Sequence, residues 1–190
     1  MLEVNLAKRA PAVFLAEQAG RGPIDIVLQP TMGRLSFRAK EAALEGRSEV
    51  SGLAVDGAIN TRRENGDLAA MRLGPDEWMF LCDDGEVDNL AERIAEEMSG
   101  KAFSLVDVSH RDVTFEVSGA ASDAVIASGS PLDLSLEAFP VGMATRTIFA
   151  KSDIVLARLS QTTWQVTCWR SFATYVQGYL ADAAKDFAVA

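Results

Sequence analysis

The chain is poor in the residues that most often build catalytic or metal centres. Its 190 residues include one histidine and two cysteines. A single histidine excludes zinc sites built on several histidines. Two cysteines far apart in sequence exclude the cysteine clusters of structural zinc. Basic residues are outnumbered: 18 Lys and Arg stand against 27 Asp and Glu, for a net charge of -9. That balance argues against nucleic-acid binding, whose footprint is a basic patch, and disfavours anionic membranes. Long apolar runs are missing too, since no stretch approaches the roughly 20 residues of a membrane helix. The N-terminus, MLEVNLAKRAPAVFLAEQAG, breaks its short apolar stretch with Glu3, Lys8 and Arg9, unlike a secretory signal. These features predict a cytoplasmic protein in which Cys82 and Cys168 remain reduced core thiols. The glycines form neither G-x-G-x-x-G nor G-x-x-x-x-G-K, so no phosphate-binding loop is expected.

What is present describes a folded protein. A hydrophobic fraction of 48% with 24% charged residues is that of an ordinary globular chain. The length suits one domain, or one domain built from two fused halves. Residues 1–95 carry 11 basic and 16 acidic side chains, and the remainder carries 7 and 11, so neither half is a charged tail.

Two amphipathic helices are predicted. Val87, Leu90, Ala91, Ile94, Ala95 and Met98 form a helical stripe over 86–99, with Gly100 as the stop. A second stripe over 172–187 runs through Phe172, Tyr175, Val176, Tyr179, Leu180, Ala183 and Phe187, with Ser171 placed as N-cap. A short helix is expected over 121–128, followed by Gly129 at C′. Period-two alternation marks strands at Val113–Val117 and Trp164–Cys168. Further strands are expected at 24–29, 35–38, 68–73, 78–82, 145–150 and 154–159, separated by turn signals. Residues 56–66 and 130–142 read as loops.

These elements repeat. Leu35-Ser36-Phe37-Arg38 aligns with Val113-Thr114-Phe115-Glu116, 78 positions on. Trp78 and Cys82 align with Trp164 and Cys168, each 86 positions on. Each half reads strand, helix, strand pair, helix, so the fold class is α+β with duplicated halves, about 24–100 and 104–188, in a single domain.

Chemistry is sparse. Asp107-Val108-Ser109-His110-Arg111-Asp112 is the densest polar cluster and holds the only histidine. His110 suits a proton carrier held by a carboxylate. The plainer reading is a turn or strand entry with local hydrogen bonds, favoured because sequence neighbours do not make a triad. If the following strand extended back, Ser109 and Arg111 would share one face, and His110 and Asp112 the other. Trp169-Arg170-Ser171 ends a strand and opens the last helix. Arg170 suits either a partner carboxylate or a local loop, and the nearby tryptophans point to an interface, where Trp and Arg are enriched. On the residues alone, His110, Trp169 and Arg170 are the interface candidates, and a binding or structural role is favoured. A weaker reading is a regulatory domain that holds a small anion at a helix N-terminus.

Four ordered phrases then carry a resemblance. They are Leu73-Gly74-Pro75-Asp76-Glu77-Trp78; Val106-Asp107-Val108-Ser109-His110-Arg111 with Val117-Ser118-Gly119; Pro131-Leu132-Asp133-Leu134 with Phe139-Pro140-Val141-Gly142; and Trp169-Arg170-Ser171-Phe172-Ala173-x-Tyr175. Over roughly 35–187 the chain resembles the gamma subunit of heterotetrameric sarcosine oxidase. The Asp-Val-Ser-His segment also resembles the folate-binding fold of glycine-cleavage aminomethyltransferases, itself a duplicated α+β unit. The resemblance implies an accessory subunit beside alpha, beta and delta subunits. It implies that FAD, FMN, NAD, tetrahydrofolate and zinc belong to those partners, with no cofactor, catalytic residue or metal site in this chain. The complex would oxidise sarcosine, passing the one-carbon unit to tetrahydrofolate and electrons to oxygen. Related complexes act on other N-methyl amino acids, so the resemblance leaves the substrate open. The alternative is a free-standing folate-binding aminomethyltransferase-like protein. A partner-binding face left bare also exposes the isolated chain to self-association as a homo-oligomer.

Overall fold

A computed structural model describes residues 23–187. The N-terminal segment read above for a secretory signal, and residue 188 of the expected repeat, lie outside the described residues. Twelve strands are described: β1 (Ile24–Leu28), β2 (Met32–Ala39), β3 (Glu49–Val50), β4 (Leu53–Ala54), β5 (Thr61–Asn65), β6 (Leu68–Gly74), β7 (Glu77–Asp83), β8 (Phe103–Asp107), β9 (Asp112–Gly119), β10 (Ala144–Phe149), β11 (Ser152–Arg158) and β12 (Thr163–Trp169). Between them lie helices α1 (Glu41–Leu44), α2 (Val87–Glu97), α3 (Ser122–Ala127) and α4 (Ala173–Ala184).

Residues 31–109 form one compact unit; residues from 110 onward, joined by the segment that ends at Pro30, form the other. The first unit holds an antiparallel sheet in the order β5-β6-β7-β2-β8, with the small β3-β4 ribbon. The second holds an antiparallel sheet in the order β1-β9-β12-β11-β10. Read from opposite ends, the two orders match element for element, so the fold is α+β with duplicated halves. In each sheet a three-stranded meander is followed by the first strand of that half, β2 or β9, and then by one more strand at the far edge. That edge strand comes from an unexpected place. β1 precedes β2 in the chain yet pairs with β9, and β8 precedes β9 yet pairs with β2.

The pairing corrects the register of the repeat. Leu35 stands across from Phe80, whereas Phe115 stands across from Val166. With Phe80 and Val166 at matched positions, Leu35 corresponds to Phe115, not to Val113. Strand alternation cannot detect a slip of two residues, because it preserves which face is buried.

Each unit has its own core. In the first, Phe37, Trp78 and Phe80 gather, with Phe37 and Phe80 stacked at 5.0 Å, and Val87, Leu90, Ile94 and Met98 of the α2 segment pack onto them. Each such burial contributes about 1.5–3 kcal/mol. In the second, Phe115, Val117, Trp164 and Val166 meet Val176 and Leu180 of α4.

Several local expectations change. Ser171 does not cap α4: a 3-10 turn over Arg170–Phe172 enters the helix, and Phe172 takes the cap position without a side-chain bond. Gly129 does stand at C′, directly after the Ser128 cap, but not in the left-handed conformation. A Cβ there would lie 2.6 Å from the Phe149 ring, so close packing is what excludes a side chain. Gly119 has φ +126°, and a Cβ would stand 2.0 Å from the Pro23 carbonyl oxygen. Residues 56–66 contain strand β5. Its burial is slight, so the hydrophobic pattern that reveals other strands is absent.

Candidate functional site

The Asp107–Asp112 segment ends β8, turns over 108–111 and opens β9. The strand alternation does not reach back through it. Asp107 Oδ1 accepts hydrogen bonds from the Ser109 backbone N–H and hydroxyl. Ser109, 1% exposed, in turn accepts from the Arg34 backbone N–H at 2.9 Å. Asp107 and Ser109 thus fasten the end of β8 beside β2, and the segment's polar character is spent on structure. His110 is exposed at the tip of the turn. Beside it, Arg111 places Nε and Nη2 each 3.0 Å from the two carboxylate oxygens of Asp112, a bidentate pair.

The structure brings the three candidate residues to one corner of the second unit. Trp169 pairs in register with Asp112, and the Arg170 backbone N–H donates to the Arg111 carbonyl at 2.9 Å. The His110–Arg111 turn and the Trp169–Arg170 strand end are therefore neighbours. Trp169 is 50% exposed, and Phe172 and Tyr175 are exposed as well. Both aromatics belong to the stripe expected to be buried. The buried line of α4 is instead Ala173, Val176 and Leu180, which turns Phe172 and Tyr175 outward. Three exposed aromatic residues thus lie close in the chain to a cationic strand end, residue types enriched at interface centres.

Sequence reasoning overlooked two arginines. Arg72 stands across from Trp78 between β6 and β7, and Arg158 stands across from Trp164 between β11 and β12. Each guanidinium lies over its tryptophan, 5.1 Å and 4.4 Å from the ring centroid. The signal was present, since both arginines share the 86-residue spacing of the tryptophans and cysteines.

The cysteines have no redox setting. Both are buried and free. Burial first, then the Asp83 carboxylate, pushes the Cys82 thiol up to about 11. Burial first, then Asp112, pushes Cys168 up to about 12. Neither supplies a thiolate near neutral pH. Among the described residues, no three His, Cys, Asp or Glu side chains gather as a metal ion would require.

Comparison with known proteins settles the lineage. The model of the sarcosine oxidase, gamma subunit family matches residues 42–186. The chain belongs to that family. Members from Corynebacterium sp. (strain P-1) and from an Arthrobacter species, both named sarcosine oxidase subunit gamma, are each 25% identical over 99% of this chain and 95% of their own length. The gamma-family fold is also seen in a heterotetrameric sarcosine oxidase from Corynebacterium sp. U-96, solved with pyrrole 2-carboxylate. It superposes with a TM-score of 0.80 at 22% identity, over 98% of this chain and 94% of that one. The glycine cleavage system aminomethyltransferase T from Bartonella henselae shares the fold at a TM-score of 0.62 and 14% identity. This chain matches it over 85% of its own length but only 46% of the transferase. The gamma-family chain is thus aminomethyltransferase-like in fold. No helix among the described residues is long and apolar enough to cross a membrane.

Proposed function

We propose that this chain is the accessory gamma subunit of a cytoplasmic, heterotetrameric sarcosine oxidase, with a structural role in assembly. Alpha, beta and delta subunits are its partners, and FAD, FMN, NAD, tetrahydrofolate and zinc reside in them. Family membership supports the setting. The observation that carries the role is the exposure of Trp169, Phe172 and Tyr175, near one another in the chain, at the strand end that meets the His110–Arg111 turn. Exposed aromatic surface of this kind is stabilised by burial against a partner, with Trp169 and Arg170 as the principal contacts and His110 at the margin. Left bare, the same corner promotes self-association of the isolated chain. The two halves act as one domain with an internal pseudo-repeat, a reading supported by their matched strand orders.

Coexpression of this chain with its partner subunits, followed by copurification, tests the assembly role. The wild-type chain is expected to copurify with a larger flavoprotein, and the double variant Trp169→Ala, Arg170→Ala to lose it while keeping its circular dichroism spectrum. Tight tetrahydrofolate binding with one-carbon transfer by the lone chain would replace this reading with that of a free-standing aminomethyltransferase.

A further inference from the structure

The two arginine–tryptophan pairs are matched in register but differ in what closes over them. Arg158 is 3% exposed and fully enclosed by its own chain. Its Nη1 donates to the carbonyls of Leu134 and Phe139, both at 2.9 Å. Its Nη2 donates to Gln161 O at 2.8 Å, and Nε to Ser160 O at 3.2 Å. The Phe139 ring completes the closure, 5.1 Å from Trp164. In the other unit, Arg72 repeats part of this pattern: Nη1 donates to Gly57 O, and Nη2 to Pro75 O at 3.0 Å. The connection over 40–60 contains no aromatic residue, the ring beside Trp78 being Phe37 of β2 at 5.9 Å, and the Arg72 Nε, though enclosed, finds no acceptor among the described residues.

At that place there is a cavity of about 280 Å³. Leu44, Val55, Pro75 and Trp78 supply its apolar wall, and Arg47 and Arg72 its cationic one. The Arg47 Nε is likewise enclosed without an acceptor among the described residues, and its Nη1 lies a long 3.9 Å from Glu97. Two acids also line the cavity. Asp56 is held by Arg63 at 3.1 Å, and Glu41 is exposed at the start of α1.

We propose that this cavity binds a small aromatic carboxylate. The ring lies against Leu44, Val55 and Trp78, where the other unit uses its own phenylalanine. The carboxylate accepts from Arg47 and Arg72, whose guanidinium has two carbonyl partners where Arg158 has four. A guanidinium pair matches a carboxylate in charge and in donor geometry. The volume suits a ligand of about ten non-hydrogen atoms, at the small end of ligand pockets. The site is wholly within residues 31–109, so it stands or falls independently of assembly with partners.

The test is isothermal titration calorimetry of the full-length chain with phenylacetate, and with phenylacetamide as its neutral match. Phenylacetate is expected to bind saturably at one site per chain, with phenylacetamide about tenfold weaker, as loss of a charge-assisted bond implies. Arg47→Ala should weaken phenylacetate by about tenfold with an unchanged thermal midpoint, because Arg47 is partly exposed and loosely paired. Val55→Trp, which fills the cavity from its wall, should abolish binding. Arg47→Ala keeps the test decisive if that variant fails to fold. No saturable heat with the wild-type chain, equal affinity for acid and amide, or full affinity in Arg47→Ala would overturn the site.

Discussion

The hairpin that carries Arg158 and Trp164 and the hairpin that carries Arg72 and Trp78 share a register, a spacing and a cation over an indole. They part company at the connection from the first strand of each half to the meander. In the second half that connection folds back so that Leu134 and Phe139 meet the guanidinium. In the first half it spends residues on the β3-β4 ribbon and passes Arg72 with a glycine carbonyl. The hairpin is thus a common scaffold, and the connection decides whether the cation is sealed into the core or left available. A buried arginine is stable only when its donors are met, so the second half must supply carbonyls. The first half keeps Arg72 partly exposed and meets the demand only in part, with the Gly57 and Pro75 carbonyls.

The comparison can be tested by breaking its closed member. Phe139→Ala should give the largest effect, a loss of about 3–5 kcal/mol in urea unfolding, because the ring is 1% exposed and packed on Trp164. Next comes Arg158→Met, which strands four carbonyl acceptors and should cost about 3 kcal/mol, while Arg72→Met costs about 1 kcal/mol or less. Near-equal losses for the two arginine variants would show that closure does not distinguish the halves.

A smaller contrast lies at the cysteines. Cys82 stands across from Gly33, but Cys168 stands across from Val113. A Cβ on Gly33 would lie 2.6 Å from the Cys82 sulfur and 3.0 Å from Val87 Cβ, so Gly33→Ala should destabilise by about 1–3 kcal/mol through overpacking. The same position in the second half already holds the larger residue, and Val113→Ala should lose stability by creating a void instead.

The smallest expected effect comes from the thiols themselves. Both folded values are raised above the ordinary thiol value near 9.0, to about 11 for Cys82 and about 12 for Cys168. The unfolded chain therefore ionises first. The contribution is fully present below pH 9 and is lost as pH rises through 11 and 12. A pH series of unfolding midpoints should show this decline, and Cys→Ala at both positions should reduce it. At pH 8 a thiol reagent should modify neither cysteine until the chain unfolds.

Much of this fold was legible from residue patterns, for reasons that differ by element. The α2 stripe holds at its large residues, Val87, Leu90, Ile94 and Met98, while Ala91 is half-buried and Ala95 exposed. β12 shows clean alternation, which the pleat imposes on a strand buried on one face, and β9 alternates in residue type although Thr114 on its other face is buried too. The aromatic residues of α4 misled, since Phe172 and Tyr175 are apolar yet exposed, and periodicity assigns such residues to the core. β5 and β8 escaped notice because neither has a fully buried residue, so neither shows a pattern, whereas the edge strand β1 alternates and is legible. Of the interface candidates, the adjacency of His110 to Trp169 and Arg170 follows from β9 pairing with β12, a contact between distant segments. The cavity was invisible to any motif, because it arises where one copy of a repeat lacks a residue that the other has.

The crossed edge strands have a consequence for any attempt to take the molecule apart. A cut between Gly100 and Phe103 divides the sequence near its midpoint, yet neither fragment would own a complete sheet. The N-terminal piece would carry β1, which belongs with β9, and the C-terminal piece would carry β8, which belongs with β2. Each fragment would hold a strand that the other needs and lack one of its own. Mixed together, the two pieces are built to complement one another, each donating a strand to the other's open edge.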